Sequence, residues 1–238
     1  MAKLPKENIV AISNFIDFVK EVEAHSTYTY NDLVLYRGQG DTTWDLMPKI
    51  VRNGIKDNFI ETENNLTNEF KRLARSLISS DILSNPWDSL AVAQHHGLET
   101  RLLDWTTNPL VALWFAFREE IQVTNRSVWV LFLEKDDIAD ISVGSPLSQT
   151  KTKAFKPNHI TQRITAQNGW FTTHKHTSNG RFIPLNTNVS YIHKLNRYDF
   201  KNLERDIILE SLDKFGINSA SLFPGLDGLA SYLNWWKR

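Results

Sequence analysis

Residues 109–120 constrain the fold more than any other part of the chain. Leu110, Val111, Ala112, Leu113, Trp114, Phe115, Ala116 and Phe117 follow Pro109 without a polar interruption. A helix built from them is apolar all round and has to sit at the centre of a folded unit. Thr106-Thr107-Asn108-Pro109 reads as its start, because a Thr or Asn side chain caps a helix and Pro suits the first turn. The stretch before it, Gln94 to Trp105, holds His95, His96, Arg101 and Asp104. Polar groups beside a buried element must be hydrogen-bonded or cost roughly 1–3 kcal/mol each, so this stretch is either a structural network or a site. Tyr36-Arg37-Gly38-Gln39-Gly40, followed by Trp44 and Pro48, has the same character.

Composition narrows the classes. At 238 residues the chain suffices for one large domain with its own core. Its 27 Lys and Arg balance 27 Asp and Glu, so nucleic-acid binding would need a local patch. The 13 Phe and 8 Trp argue against disorder. The lack of cysteine excludes disulfides, thiolate catalysis and Cys-ligated metal. Residues 1–13 lack the apolar region of roughly 7–15 residues that a secretory signal needs. No stretch approaches the ~20 apolar residues of a membrane span. The expectation is a soluble, cytoplasmic protein with no membrane partner.

Periodicity predicts an amphipathic helix over 7–24 through Ile9, Ile12, Phe15, Ile16, Val19 and Val22. A short strand runs from Leu33 to Gly38, leaving Arg37 and Gln39 at its end. Helices are predicted over 60–82 and from about Trp87 to His95, with Gly97 as the stop. In that arrangement the helix terminus favours protonated histidine. Ser127–Leu133 reads as a buried strand. Residues 140–160 read as loop, 164–171 and 189–195 as strands, 172–181 as a polar loop, 199–215 as an amphipathic helix, and 226–236 as a final helix covering the core. The predicted class is one α+β domain over 1–238. It has a mixed or antiparallel central sheet, flanking helices and a helical insertion near 53–90.

The chemistry has fewer anchors. His174-Lys175-His176 reads as solvated loop histidines, and no HExxH or Cys/His spacing occurs, so no metal is expected. Gly38-Gln39-Gly40 is not a P-loop and GxGxxG is absent. Arg37 either grips an anion bidentately or ties to Asp104 as a structural pair. Asp104 can act as a base, a stabiliser, the orienting partner of His95 or His96, or a cap. Gln167 is either a hydrogen-bonding cleft residue or part of a surface turn.

With both clusters in view, the chain resembles the FRG domain family. Tyr36-Arg37-Gly38-Gln39 is similar to its first element. The segment from Gln94 to Thr106 is similar to its second signature, AQHxGLPTRLLDWT, with Glu99 in place of Pro. Ala166 to Phe171 and Leu222 to Ala230 resemble later elements, so the likeness runs from about residue 30 to about 232. A weaker resemblance is to the ADP-ribosyltransferase fold. There an aromatic-Arg strand holds the dinucleotide, a Ser/Thr strand leads into a helix, and a third strand carries Glu or Gln.

That resemblance implies an NAD-utilising enzyme transferring ADP-ribose or hydrolysing NAD. Its setting would be bacterial conflict, as a toxin or a phage-defence effector. Tyr36, Arg37, Gly38, Gln39, Arg101 and Trp105 would bind the dinucleotide, and Gln167, Asp104, His95 and Thr106 would serve catalysis. The acceptor would be protein or nucleic acid. Gln167 stands where transferases of that fold often carry Glu. Two alternatives stay open: a hydrolase or nuclease using His95, His96 and Asp104, and a non-enzymatic nucleotide-sensing or interaction module.

Overall fold

The computed structural model describes residues 3–24, 33–52, 59–121, 125–158, 161–177 and 181–237. Strand β1 (Ile9–Ile12) is followed by α1 (Phe15–Ala24), β2 (Leu33–Gln39), α2 (Lys49–Arg52), α3 (Phe59–Leu73), α4 (Ser80–Ser84) and α5 (Pro86–His95). Then come β3 (Leu102–Thr106), α6 (Pro109–Phe117), β4 (Asn125–Leu133), β5 (Lys153–Phe155), α7 (Gln162–Ala166), β6 (Gly169–Thr173) and β7 (Leu195–Lys201). Helices α8 (Arg205–Lys214), α9 (Ser219–Leu222) and α10 (Leu226–Trp236) complete the chain. The strands form one sheet in the order β1-β7-β4-β2-β3-β6-β5. Only the β1–β7 pair is parallel. The α+β class and the mixed sheet are as the sequence predicts, and no helix among the described residues is long and apolar enough to cross a membrane.

β4 reads as an uninterrupted apolar run because both faces of the sheet are covered. Val128 and Val130 join Tyr36, Tyr198 and Phe200 beneath α1, α6 and α8, while Trp129, Leu131 and Leu133 meet Leu35, Leu46, Leu185 and Leu195 on the other face. Helix α6 is central, with Val111, Ala112, Leu113, Ala116 and Phe117 buried. Asn108 caps it by accepting from Leu110 N and Val111 N, and Pro109 opens it. α6 lies so close to β2 that a Cβ on Gly38 would stand 2.0 Å from the Ala112 carbonyl oxygen and 2.5 Å from Ala116 N. Both obstacles are backbone, so Gly38→Ala must push α6 off the sheet. An overpacking loss of about 1–3 kcal/mol or more is expected, checked by urea unfolding.

Several boundaries depart from the sequence expectation, each for a tertiary reason. Ile9–Ile12 is not the start of a helix but an edge strand paired with Arg197–Phe200 of β7. The helix begins only after Asn14, whose Oδ1 accepts from Asp17 N at 2.9 Å. The predicted 60–82 helix stops at Leu73, tightens into a 3-10 turn over Ala74–Ser76 and resumes as α4. Residues 140–160 contain β5, an edge strand on β6. Residues 164–171 divide into α7, a left-handed Asn168 (φ 47°) and β6. Residues 192–194 form a 3-10 turn before β7, and Phe200 belongs to that strand, so α8 starts only at Arg205. Thr172 and Thr173, expected in a polar loop, are buried strand residues. α10 has its expected bounds but does not fully cover the core. Trp235 packs inward, whereas Leu226, Leu229, Leu233 and Trp236 remain exposed.

Candidate functional site

The cleft begins where the sheet comes apart. β2 pairs with β4 along its whole length, but with β3 only at Tyr36 opposite Thr106. Beyond that point the Arg37 side chain spans the gap, and its Nη1 donates to the Asp104 carbonyl oxygen at 2.6 Å. The same nitrogen lies 3.8 Å from Asp104 Oδ2. Arg37 Nε is buried with no hydrogen-bond partner among the described residues. Burial lowers the Arg37 pKa, Asp104 raises it and Arg52 lowers it again; a guanidinium stays charged throughout.

A cavity of about 650 Å³ opens here, bounded by β2, α2, the end of α5, β3, α6, α7 and the start of β6. Arg37, His95, Asp104, Thr106 and Gln167, drawn from distant parts of the sequence, all line it. Its charge is strongly biased: Arg37, Lys49, Arg52, Arg118 and Arg163 face it against only Asp104 and Glu119. A neutral chain thus concentrates positive charge in one concavity, which raises the local concentration of anions.

Asp104 is the carboxylate at the centre. Its side chain is 58% exposed and is held by Gln94 Nε2, which donates to Oδ2 at 3.0 Å. Gln94 is in turn fixed by Thr100 Oγ1, donating to its Oε1 at 2.8 Å. This relay explains Gln94 and Thr100, which the sequence left without a role. Gly97, at φ 94°, ends α5 in the left-handed conformation glycine favours, and so presents His95 and His96 to the cavity.

The expected protonation of these histidines is corrected for His95. Burial, then Arg163 and His96, press its pKa down from 6.5 to about 4 against the pull of Asp104. The imidazole is neutral at pH 7, an acceptor and not a proton donor of useful strength.

Other expected roles also change. Arg101 does not reach the cleft. It is 2% exposed and is clamped to the equally buried Glu63, whose carboxylate accepts from Nε and Nη2. Gln39 lines the cavity, but its amide is spent: Oε1 accepts from Trp129 Nε1 at 2.7 Å and Nε2 donates to the Asp45 carbonyl oxygen at 3.4 Å. Thr106 Oγ1 donates to the Gln167 carbonyl oxygen at 2.7 Å and accepts from Asn108 N at 3.0 Å, tying β3 to α6. Tyr36 and Trp105 contribute to the wall while sitting mainly in the two cores. Gln167 precedes β6 and does not lie on it; its Nε2 donates to the Leu222 carbonyl oxygen at 3.0 Å.

His174 is not a solvated loop residue either. It is 3% exposed, and its Nε2 lies 2.8 Å from Thr172 Oγ1, which accepts from Trp105 Nε1 at 2.9 Å. Among the described residues no three His, Asp or Glu side chains gather closely enough to hold a metal ion.

Arg118 and Arg163 are the functional candidates that sequence reasoning missed. Neither stands in a motif: one follows the last turn of α6, the other lies inside the five-residue α7. Their relation is purely tertiary. Arg163 lies over the Phe223 ring at 4.3 Å, with Arg118 5.6 Å from the same ring.

No curated protein and no solved structure matches the chain. A family model does match over residues 32–125, and its description is the FRG domain. That span takes in Tyr36-Arg37-Gly38, the whole polar segment from Gln94 to Thr106, and α6; the likenesses at 166–171 and 222–230 lie beyond it. The matched residues include Arg37 and Asp104, which meet across the opened strands, and over residues 32–125 the chain is similar to the FRG domain.

Proposed function

We propose that the cleft binds a nicotinamide dinucleotide and cleaves its glycosidic bond, releasing nicotinamide with transfer of ADP-ribose to an acceptor or to water. The observation that carries this is Arg37: one nitrogen is anchored on the Asp104 carbonyl oxygen, while the buried Nε has no partner among the described residues. A buried donor left unsatisfied costs about 1–3 kcal/mol. A pyrophosphate accepting from the guanidinium edge would remove that cost and fix the dinucleotide along the cleft. The three elements carrying Arg37, Asp104–Thr106 and Gln167 stand on or beside three neighbouring strands, and the cavity is of ligand size.

Departure of nicotinamide leaves positive charge at the anomeric carbon, so catalysis needs geometry and a nearby negative charge more than a strong nucleophile. Asp104, held by Gln94, supplies that charge. The Gln167 side-chain nitrogen is committed to Leu222 and its backbone oxygen to Thr106, so its side-chain Oε1 is the atom left to orient the ribose or the attacking group. His95, neutral, accepts a hydrogen bond at one ring nitrogen and donates one from the other, and it does not serve as a general acid. Toxin and phage-defence roles fit such chemistry but rest on the resemblance alone.

The test is nicotinamide release on incubation with NAD, with an NAD-induced thermal shift read in parallel. Arg37→Ala and Arg37→Lys are expected to lower release by roughly 10²–10³-fold and to abolish the shift, since a lysine cannot offer the bidentate edge. No release and no shift from the unaltered protein overturns the proposal. A sharp fall in Tm for Arg37→Ala, with NAD inert throughout, marks Arg37 as a structural tie.

A further inference from the structure

Arg163 and Arg118 are held in a costly arrangement. Both guanidinium groups lie around the Phe223 ring, and their mutual repulsion adds to burial in lowering the Arg163 pKa. No carboxylate among the described residues lies within ion-pair distance of Arg163, and its Nε is buried without a hydrogen-bond partner. Among the described residues the one carboxylate within ion-pair distance of Arg118 is the neighbouring Glu119, at 3.7 Å. Two cations brought around one ring with a donor unmet predict an anion that bridges them.

A second cavity of about 320 Å³ opens on the far side of Arg118 and Phe223. Trp114 and Trp235 line it, with Asn218, Ser219 and Ser231 supplying polar groups, and Arg118 and Glu119 are shared with the main cleft. An aromatic-walled hollow beside a pair of guanidinium groups offers what a nucleotide unit presents: a base to stack and a phosphate to neutralise. An acidic peptide would use the arginines but has no flat ring for Trp114 and Trp235.

We infer that Arg163 and Arg118 form a phosphate-binding ridge for a single-stranded nucleic acid, with the second cavity receiving one of its bases. This rests on the proposed NAD chemistry only in calling the strand an acceptor. Gln167, bonded to Leu222 next to Phe223, sits where the two ligands would meet.

Binding of short labelled RNA and DNA oligonucleotides, measured by fluorescence anisotropy without NAD, tests the inference independently of any glycosidic cleavage. The unaltered protein is expected to bind one or both, more weakly as salt rises. Arg163→Gln is expected to weaken binding about tenfold and to reduce the salt slope by about 1. Ser231→Trp, at an exposed position of α10 that lines the second cavity, occupies that cavity while leaving both arginines in the sequence and is expected to weaken binding similarly. Three results overturn the inference: no oligonucleotide binding at low salt, binding indifferent to both variants, or equal competition by an acidic peptide. Loss of the NAD shift in Arg163→Gln, with oligonucleotide binding intact, instead gives the ridge to the dinucleotide.

Discussion

Glu63→Ala is expected to destabilise the protein by about 3–5 kcal/mol, the usual consequence of leaving one member of a buried ion pair without its partner. Arg101 and Glu63 are each 2% exposed at the side chain. The glutamate also accepts from the Arg101 backbone N–H at 3.2 Å, and Arg101 Nη1 donates to the Leu147 carbonyl oxygen at 3.2 Å. The pair therefore ties α3 to the start of β3 and to the loop before β5. Removing the carboxylate strands a guanidinium where water cannot reach it. Replacing both residues together, as in Glu63→Leu with Arg101→Met, should recover most of the loss, because the desolvation cost of the charges disappears with them. Urea unfolding of the two single variants and the double variant checks this. A Glu63→Ala loss below about 1 kcal/mol, the range of exposed pairs, would contradict the burial. The contrast with Arg37, which sits in the same family match, is sharp. Arg37 has its Nε unmet among the described residues and an exposed carboxylate at 3.8 Å, as the proposed ligand role requires.

A second large effect is expected in acid. Burial, with the fields of Arg37 and Arg101, presses the His174 pKa from 6.5 to about 3. The unfolded chain takes up this proton below about pH 6.5 while the native state refuses it until about pH 3. Stability present above pH 6.5 is therefore lost progressively as pH falls to 3, and the loss levels off below that. The full excursion is on the order of 5 kcal/mol, comparable with the whole stability of many domains. His95 adds a smaller term of the same sign between pH 6.5 and about 4. His174→Gln, whose amide can still meet Thr172, should flatten the acid limb of a urea-midpoint profile. Parallel profiles for the two proteins would refute the assignment.

Legibility in the sequence followed the range of the forces involved. The capped ends of α5 and α6 were readable because Asn-Pro and Gly97 act locally, and β4 because an apolar run of that length has to be buried on both faces. β1 was not, since Ile9 and Ile12 satisfy a helical spacing and only the distant edge of β7 makes them a strand. The cleft was half readable. Tyr36-Arg37-Gly38 and the segment around Asp104 are dense enough to notice, but nothing local distinguishes Arg101, sealed by a glutamate 38 positions away, from Arg37. Arg163 and Arg118 become visible only when Phe223 is placed between them. Gly38, read as part of the binding element and lining the cleft, carries a second demand invisible in the sequence, since its missing side chain serves the approach of α6.

The single pairing between β2 and β3 has a mechanical consequence. The sheet is two leaves, β1-β7-β4-β2 and β3-β6-β5, joined at one rung and then stitched by an arginine. A backbone rung has no other business, but a guanidinium does. Any anion that draws Arg37 toward itself loosens the stitch, and any that lies along it tightens the seam. Amide exchange on either side of Tyr36 and Thr106 should then report, leaf against leaf, what the cleft is holding.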